Sequence, residues 1–151
     1  MSKRFASIEA LLEAGETDLG TSSWIEVTQE DVRLFADATN DHQWIHVDVE
    51  RAKAGPYGTT VAHGYLVLAL AAPILYELFA VDGTSAAINY GLNRVRLPAP
   101  VPVGSKVRAT GRLLSSAAKA GGAEVVIGLT YELESGGKPP CVAEIVILVL
   151  P

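Results

Sequence analysis

Residues 62–81 read AHGYLVLALAAPILYELFAV, a long and almost uninterrupted apolar stretch in a chain of 151 residues. Its length is close to that of a membrane-spanning helix. His63, Pro73 and Glu77 interrupt it, however, and a helix that is apolar all round also suits the interior of a globular fold. We therefore predict a buried helix over residues 64–80. Pro73 should kink it, because proline has no backbone N–H to continue the helical hydrogen bonds.

The sequence changes character after this helix. The third of the strands that follow alternates apolar and polar residues, which is typical of a strand with one buried face. The last is almost continuously apolar, which favours a central strand. Antiparallel strands in succession need a cover for their apolar face, so the pattern predicts an α+β fold with a curled antiparallel sheet around the long helix. The four predicted strands span residues 86–96, 105–116, 123–134 and 141–150.

Shorter elements precede the central helix. Thr28 suits the N-cap of a helix, because its hydroxyl can accept a hydrogen bond from the backbone N–H near Asp31. That helix should end near Asn40. We find no repeat and no linker long enough to separate domains, and we expect one domain over residues 1–151. The other expected elements are a helix over residues 5–14, a strand over 19–27 and a helical turn over 48–54.

Charge and cysteine content argue against several classes of protein. The formal net charge is −5 and the basic residues are scattered, whereas nucleic-acid binding requires a concentrated positive face. The single cysteine, Cys141, lies in an apolar run and the N-terminus lacks a secretory signal, so we expect a buried thiol in a cytoplasmic protein. The low charged fraction, 19%, favours a homodimer. A ligand with a few phosphates needs only a local cluster, for which the candidates are Arg51, Lys53, Arg94, Arg96 and Arg108.

All three histidines fall between residues 42 and 63. Asp41 and His46 are five residues apart, and a carboxylate and an imidazole held in one loop can form a general acid–base pair. By spacing alone, a structural hydrogen bond or a chance pairing is the simpler interpretation. A zinc site of His42 and His46 with Asp41 or Asp48 is a further alternative. Histidines at that spacing converge only on a helix, and residues 44–47 favour an extended loop, so we predict no metal.

The wider sequence favours the catalytic interpretation. Residues 35–66, FADATNDHQWIHVDVERAKAGPYGTTVAHGYL, resemble the signature of the MaoC-like, (R)-specific enoyl-CoA hydratase family. The family motif has an aspartate, four residues, and a histidine followed shortly by an acidic residue, then a turn with glycine and a His-Gly pair. Residues 89–108, NYGLNRVRLPAPVPVGSKVR, also look like the strand and Pro-Val-Gly turn of the family. The matching residues here are Asp41, His46, Asp48, Gly58, His63 and Gly64.

The resemblance implies a hot-dog fold and the reversible addition of water to a 2-enoyl-CoA thioester, giving a (3R)-hydroxyacyl product. It implies that Asp41 and His46 hold the reacting water and that the backbone N–H of Gly64 stabilises charge on the thioester oxygen. Gln43, where the family often has asparagine, is expected to orient the site or contact the substrate. No cofactor is implied beyond the coenzyme A of the substrate. His42 is expected to be solvated and His63 to pack beneath the loop, both outside the catalytic group.

Two other functions fit the same fold. A hot-dog acyl-CoA thioesterase typically places its carboxylate on or near the long helix, where this chain has only Glu77, far from the start. A non-catalytic acyl-CoA-binding module would be favoured if one member of the Asp41–His46 pair were missing, and both are present. The hydratase is therefore the preferred interpretation, with these two as alternatives.

Overall fold

The computed structural model describes residues 2–151 and combines eight strands with six helices within that range. The strands are β1 (Lys3–Phe5), β2 (Thr17–Thr21), β3 (Ile25–Glu26), β4 (Phe79–Val81), β5 (Ala86–Arg96), β6 (Lys106–Lys119), β7 (Gly122–Leu133) and β8 (Val142–Leu150). The helices are α1 (Ile8–Glu13), α2 (Gln29–Thr39), α3 (Trp44–Val47), α4 (Val49–Lys53), α5 (Gly64–Ala69) and α6 (Ala71–Leu78).

The main sheet is antiparallel and has the strand order β2-β6-β7-β8-β5, with β3 also paired to β6. The four long strands after the central helix lie where the sequence predicts them, to within about three residues at each end. β8 lies between β7 and β5, and its consecutive residues Ile145, Val146 and Ile147 are all buried. The prediction of a central strand is therefore confirmed, and this part of it is buried on both faces.

The predicted central helix forms as two segments. α5 and α6 meet at Leu70, where Pro73 has no N–H to donate to the carbonyl of Ala69. One buried face runs through both segments at helical spacing, with Val67, Ala71, Ile74 and Leu78. Leu78 approaches the sheet so closely that a Cβ added at Gly111 of β6 would lie 3.0 Å from its Cδ1 atom. None of the helices in residues 2–151 is long and apolar enough to cross a membrane.

The prediction of a helix continuing to residue 80 is wrong. The helix ends at Leu78, and β4 follows at once and pairs in parallel with β1. The ring of Phe79 packs on that of Phe5, with centroids 5.8 Å apart, and an ion pair joins Arg4 to Asp82. Because β1 takes up residues 3–5, the N-terminal helix also begins later than predicted, at Ile8 rather than residue 5.

The predicted strand over residues 19–27 is divided into β2 and β3. Between them lie residues 22–24, of which Ser22 still donates its backbone N–H to the carbonyl of Ala109 in β6. The carboxylate of Glu77 accepts hydrogen bonds from both the backbone N–H and the hydroxyl of Ser23, each at 2.8 Å. The hydroxyl of Ser22 accepts one from the backbone N–H of Ala109. These side-chain hydrogen bonds replace part of the backbone hydrogen bonding that a continuous strand would form with β6. Glu77 therefore has a structural role.

Candidate active site

Helix α2 determines where Asp41 lies. Thr28 caps its start, as predicted: its hydroxyl accepts from the N–H of Asp31, whose carboxylate accepts from the N–H of Thr28 in return. The helix ends at Asn40, which has a left-handed backbone with φ 58° and ψ 28°. The N–H groups of Asn40 and Asp41 both bond back to the carbonyl of Ala36, that of Asp41 at 3.1 Å, which closes the helix end. Asp41 thus follows directly from a fixed helix terminus.

This geometry gives a prediction for Asn40. Replacing it with alanine should lower stability by about 1 kcal/mol relative to glycine, because a Cβ without a local polar group is unfavourable in the left-handed region. Activity should fall with it, since Asp41 is the next residue. Urea unfolding and turnover of Asn40→Ala and Asn40→Gly would be compared. Equal stability and turnover of the two variants would show that the backbone at Asn40 does not control Asp41.

His46 lies in α3, a single helical turn. The prediction of an extended loop over residues 44–47 is wrong, because Asp48 supports a turn on both sides. Its N–H bonds to the carbonyl of Trp44 at 3.0 Å, and its side chain caps α4 by accepting from the N–H of Arg51. Among the residues that favoured an extended loop, Trp44 is held by a neighbour in α4: the guanidinium of Arg51 lies 4.4 Å from the centre of its ring.

The ring of His46 is fixed in one tautomer. It is only 7% exposed, and its Nδ1 lies 2.6 Å from the carbonyl oxygen of Val61. A carbonyl only accepts, so Nδ1 carries the proton and Nε2 of the neutral ring has a free lone pair. The backbone is held as well: the amide of Gln29 donates to the His46 carbonyl at 2.8 Å and accepts from the hydroxyl of Thr60. His46 therefore presents Nε2 as an acceptor.

Burial lowers the pKa of His46 below its ordinary value of 6.5. The hydrogen bond to Val61 and the charge of Asp41 oppose this effect, and nearby His63 adds to it. In the unfolded chain the imidazole takes up its proton near pH 6.5, before the folded protein does. Stability should therefore fall as the pH decreases below about 6.5, and level off below the folded-state pKa.

His46→Gln should remove this contribution to the pH dependence. Urea unfolding of both proteins at about pH 7.5 and about pH 5.5 would measure it, because the unfolded state binds more protons than the folded one between the two pKa values. The wild-type protein should lose more stability than the variant between these two conditions. An identical loss in both would mean that His46 titrates in the folded protein as it does in the unfolded chain.

His63 lies against both members of the pair. Its side chain is 2% exposed, and its Nε2 bonds to the backbone carbonyl of Asp41 at 2.9 Å. Its ring stacks on that of His46, with centroids 3.8 Å apart and planes at 24°. The predicted packing beneath the loop is confirmed, but the contact with both members of the pair was not predicted. The sequence signal that could have found it is the His-Gly pair, which places a histidine at the first turn of α5.

Asp41, His46 and His63 form the one group of possible metal ligands among residues 2–151, with ligand atoms within 4.8 Å of one another. The stacked rings do not suit a shared ion. An imidazole binds a metal in its own ring plane at about 2.1 Å, and two planes 24° apart with centroids separated by 3.8 Å meet well beyond that reach. His42 is outside this group: it is about half exposed and its Nε2 lies 2.8 Å from the carboxylate of Asp37.

Gly64 begins α5 beside this group. The backbone N–H groups of a first helical turn have no partner within the helix, so that of Gly64 is open to a ligand. Gly64 and His46 line the same cavity, of about 340 Å³. A Cβ at position 64 would lie 2.7 Å from Cδ1 of Leu97 across it. Gln43 is exposed at the start of α3 without capping it, and its orienting role stays a prediction.

A second cavity, of about 350 Å³, lies on the other side of α5 and is mostly apolar. It separates the two central helical segments from β5 and β8. The cavities adjoin the same helix start, one lined by Gly64 and the other by Tyr65. The other residues that line the apolar cavity include Leu68, Ala72, Leu75, Phe79, Leu92 and Ile145.

Known proteins resemble this chain in sequence and in fold. A family profile described as the MaoC like domain matches residues 12–133, which contain Asp41, His46, His63 and Gly64. The chain belongs to the MaoC-like dehydratase family. The 3-hydroxyacyl-thioester dehydratase Z of Mycobacterium tuberculosis is 51% identical over 146 residues, or 96% of this chain and 97% of that protein. Nodulation protein N of Rhizobium leguminosarum is 39% identical, covering 87% of this chain and 84% of that protein.

The fold of this MaoC-like protein also matches solved structures. The unliganded R-hydratase PhaJ1 of Pseudomonas aeruginosa aligns with a TM-score of 0.72 and 21% identity, covering 89% of this chain and 79% of that one. The predicted hot-dog fold is thus confirmed. The predicted family and the assignment to hydro-lyases of the hydratase and dehydratase type are confirmed as well.

Proposed function

We propose that this protein catalyses the reversible hydration of trans-2-enoyl thioesters to (3R)-3-hydroxyacyl thioesters, with Asp41 and His46 as the proton-transfer pair. The observation that carries the proposal is the convergence of the two side chains: a carboxylate oxygen of Asp41 and a ring nitrogen of His46 lie within 4.8 Å of each other, and His46 lines a cavity together with Gly64. A 51% identical relative that is named a 3-hydroxyacyl-thioester dehydratase supports the reaction class.

The chemistry follows from the hydrogen-bonding capacity of the two groups. A water molecule between them donates one O–H to the Asp41 carboxylate and the other to Nε2 of His46, which is free because Nδ1 is bonded to Val61. Its oxygen attacks C3 of the enoyl group, and the electron pair of the double bond moves towards the thioester oxygen. The proton taken from the water is then delivered to C2, so water is added across the double bond. The dehydration runs through the same steps in reverse.

The developing negative charge on the thioester oxygen needs a donor in place before the reaction begins. The backbone N–H of Gly64 supplies it at the first turn of α5. The absence of a Cβ lets the thioester approach this N–H, since the space beside it is already narrowed by Leu97. The acyl chain then extends into the apolar cavity on the far side of α5.

The thioester carrier binds through a few basic residues. Lys53 pairs with Glu50, Arg108 pairs with Glu132, and the guanidinium of Arg51 lies over the Trp44 ring. Arg94 and Arg96 lie at the exposed end of β5, just before Leu97, which faces Gly64. We assign the phosphate contacts of coenzyme A to these two arginines on the grounds of charge and position. Action without a further cofactor and a cytoplasmic location stay predictions.

The thioesterase alternative loses its candidate carboxylate. Glu77 is engaged by the N–H and the hydroxyl of Ser23, at the opposite end of the helical pair from Gly64. The decisive assay follows the absorbance of the conjugated thioester with crotonyl-CoA and a longer trans-2-enoyl-CoA. Coupling to dehydrogenases specific for each 3-hydroxyacyl-CoA enantiomer reads the stereochemistry. Loss of absorbance with (3R) product is expected. Release of free thiol instead, or acyl-CoA binding without turnover, would contradict the proposal.

We also propose that the protein is a homodimer formed through β5. This strand is eleven residues long and lies at the edge of the sheet, where its outer N–H and C=O groups have no neighbouring strand among residues 2–151. Ile88, Tyr90 and Leu92 are exposed on it. Tyr65 and Tyr76 of the adjoining helices are 76% and 83% exposed. A second copy presents the same long apolar edge and can pair with it about a two-fold axis.

A charged residue on this surface should separate the two copies. Leu92→Glu is expected to elute with the mass of one chain in light-scattering chromatography, because a carboxylate would be buried without a partner in the interface. Leu34→Glu is the matched control, since Leu34 is also exposed but lies on α2. That control should keep the mass of two chains. A wild-type protein with the mass of one chain would contradict the dimer.

A further inference from the structure

We propose that His63 is a positioning residue that fixes Asp41 and His46 relative to each other and to the start of α5. It contacts one member of the pair through a hydrogen bond and the other through a ring stack. The part of this proposal that concerns turnover rests on the proposed hydratase function. The part that concerns the geometry of His46 is independent of it.

The hydrogen bond fixes the orientation of His63. Its partner is the carbonyl of Asp41, which can only accept, so Nε2 of His63 carries the proton. In the neutral ring Nδ1 is then an acceptor. This atom is buried and has no hydrogen-bond partner in the described part of the chain. Burying an acceptor without a partner lowers stability, so an apolar side chain would suit this place better if packing were its only purpose.

The bond to Asp41 acts on the backbone that carries the carboxylate. The N–H of Asp41 is held by Ala36 and its carbonyl by His63, so both sides of the residue are fixed. The side chain itself is exposed and has only a long contact, 3.4 Å, to the N–H of Gln43. The placement of the carboxylate therefore depends on these backbone bonds. A displacement of about 1 Å in a reacting group can cost about 10²-fold in rate.

The ring stack acts on His46. One face of its imidazole lies on His63, and its edge is held by the bond from Nδ1 to Val61. Phe35 supports His63 from another side, with ring centroids 4.9 Å apart. His63 also immediately precedes Gly64 in the chain. A single buried side chain thus links the carboxylate, the imidazole and the backbone N–H that the proposed reaction uses.

Two variants separate positioning from packing. His63→Gln keeps an amide donor at about the place of Nε2, whereas His63→Met has a similar length and no donor. We expect His63→Met to fold, to lower kcat at least tenfold and to change KM less than threefold. His63→Gln should return kcat to within about threefold of wild type. The proposal is overturned if His63→Met keeps kcat within about twofold of wild type. His63→Gln restores the donor but not the stacked ring, so a kcat as low as that of His63→Met would overturn the role of the hydrogen bond to Asp41.

A second measurement needs no substrate. The imidazole signals of His46 are titrated by nuclear magnetic resonance in the wild-type protein and in His63→Met. Loss of the stacked ring should raise the pKa of His46, because the neighbouring imidazole disfavours its charged form. An unchanged titration would refute the contact with His46. If wild type failed to hydrate enoyl thioesters but this shift were present, the proposed function would be wrong and the positioning of His46 by His63 would stand.

Discussion

Replacing Asp41 with asparagine is expected to lower kcat for enoyl-thioester hydration by about 10²-fold or more. The amide has the same size, and Asn can still accept from the N–H of Gln43, as the carboxylate does. It cannot take a proton from water at neutral pH. The loss should therefore appear in kcat with little change in KM, because binding of the thioester does not require the charge.

Asp37→Asn is the matched control for this prediction. Asp37 is also exposed and lies four residues earlier, on α2, and its substitution removes the same charge. Its carboxylate pairs with His42 instead of contacting the site. Its variant should retain wild-type turnover. Stopped-flow or steady-state absorbance measurements on both variants would decide the matter. Nearly full activity in Asp41→Asn would mean that Asp41 is not the group that accepts the proton.

His46→Gln should show a loss of similar size, about 10²-fold or more in kcat. Glutamine fills much of the same volume, and its amide can still donate a hydrogen bond in the buried position. Glutamine has no basic nitrogen, so the proton acceptor that Nε2 provides is lost while the site remains packed. Unfolding in urea at about pH 7.5 would be measured alongside turnover, to show that the loss is not one of folding.

The control for His46 is His42→Gln. His42 is four residues away in the sequence, but its side chain is about half exposed and contacts Asp37 rather than the site. The control variant should keep the full rate. If His42→Gln lost as much activity as His46→Gln, the assignment would have chosen the wrong histidine. A normal rate in His46→Gln would mean that His46 does not act with Asp41 and that the protons are transferred by another route.

Much of the fold could be predicted because its signals are local. The capping pair Thr28 and Asp31 marks the start of α2, and Asn40 marks its end. In β7 the alternation of Val125, Ile127, Leu129 and Tyr131 with polar residues identified the buried face correctly. Each signal depends on residues a few positions apart, so no knowledge of the tertiary structure is needed.

The errors arose where distant residues decide local structure. Residues 79–81 are a strand because β1, more than seventy residues earlier, pairs with them. α3 is a helical turn because the N–H of Asp48 donates to the carbonyl of Trp44 while its side chain caps α4, although Ile45 and Val47 have strand propensity. The contact of His63 with the Asp41 carbonyl needs α2 and α5 to meet, which spacing alone cannot show.

The pairing of β2 with β6 affects how this chain reaches its native state. Thr17 lies opposite Leu113 and Thr21 opposite Thr110, so each residue of the first strand of the sheet pairs with one that is about ninety residues or more further along the chain. β5 likewise waits for β8 at the end of the chain. Such distant pairings close large loops, and folding times of about milliseconds to seconds are expected for topologies of this kind. During synthesis, the apolar segment 62–81 is made before the strands β5 to β8 that cover it, so its side chains lack their native cover while the chain is incomplete.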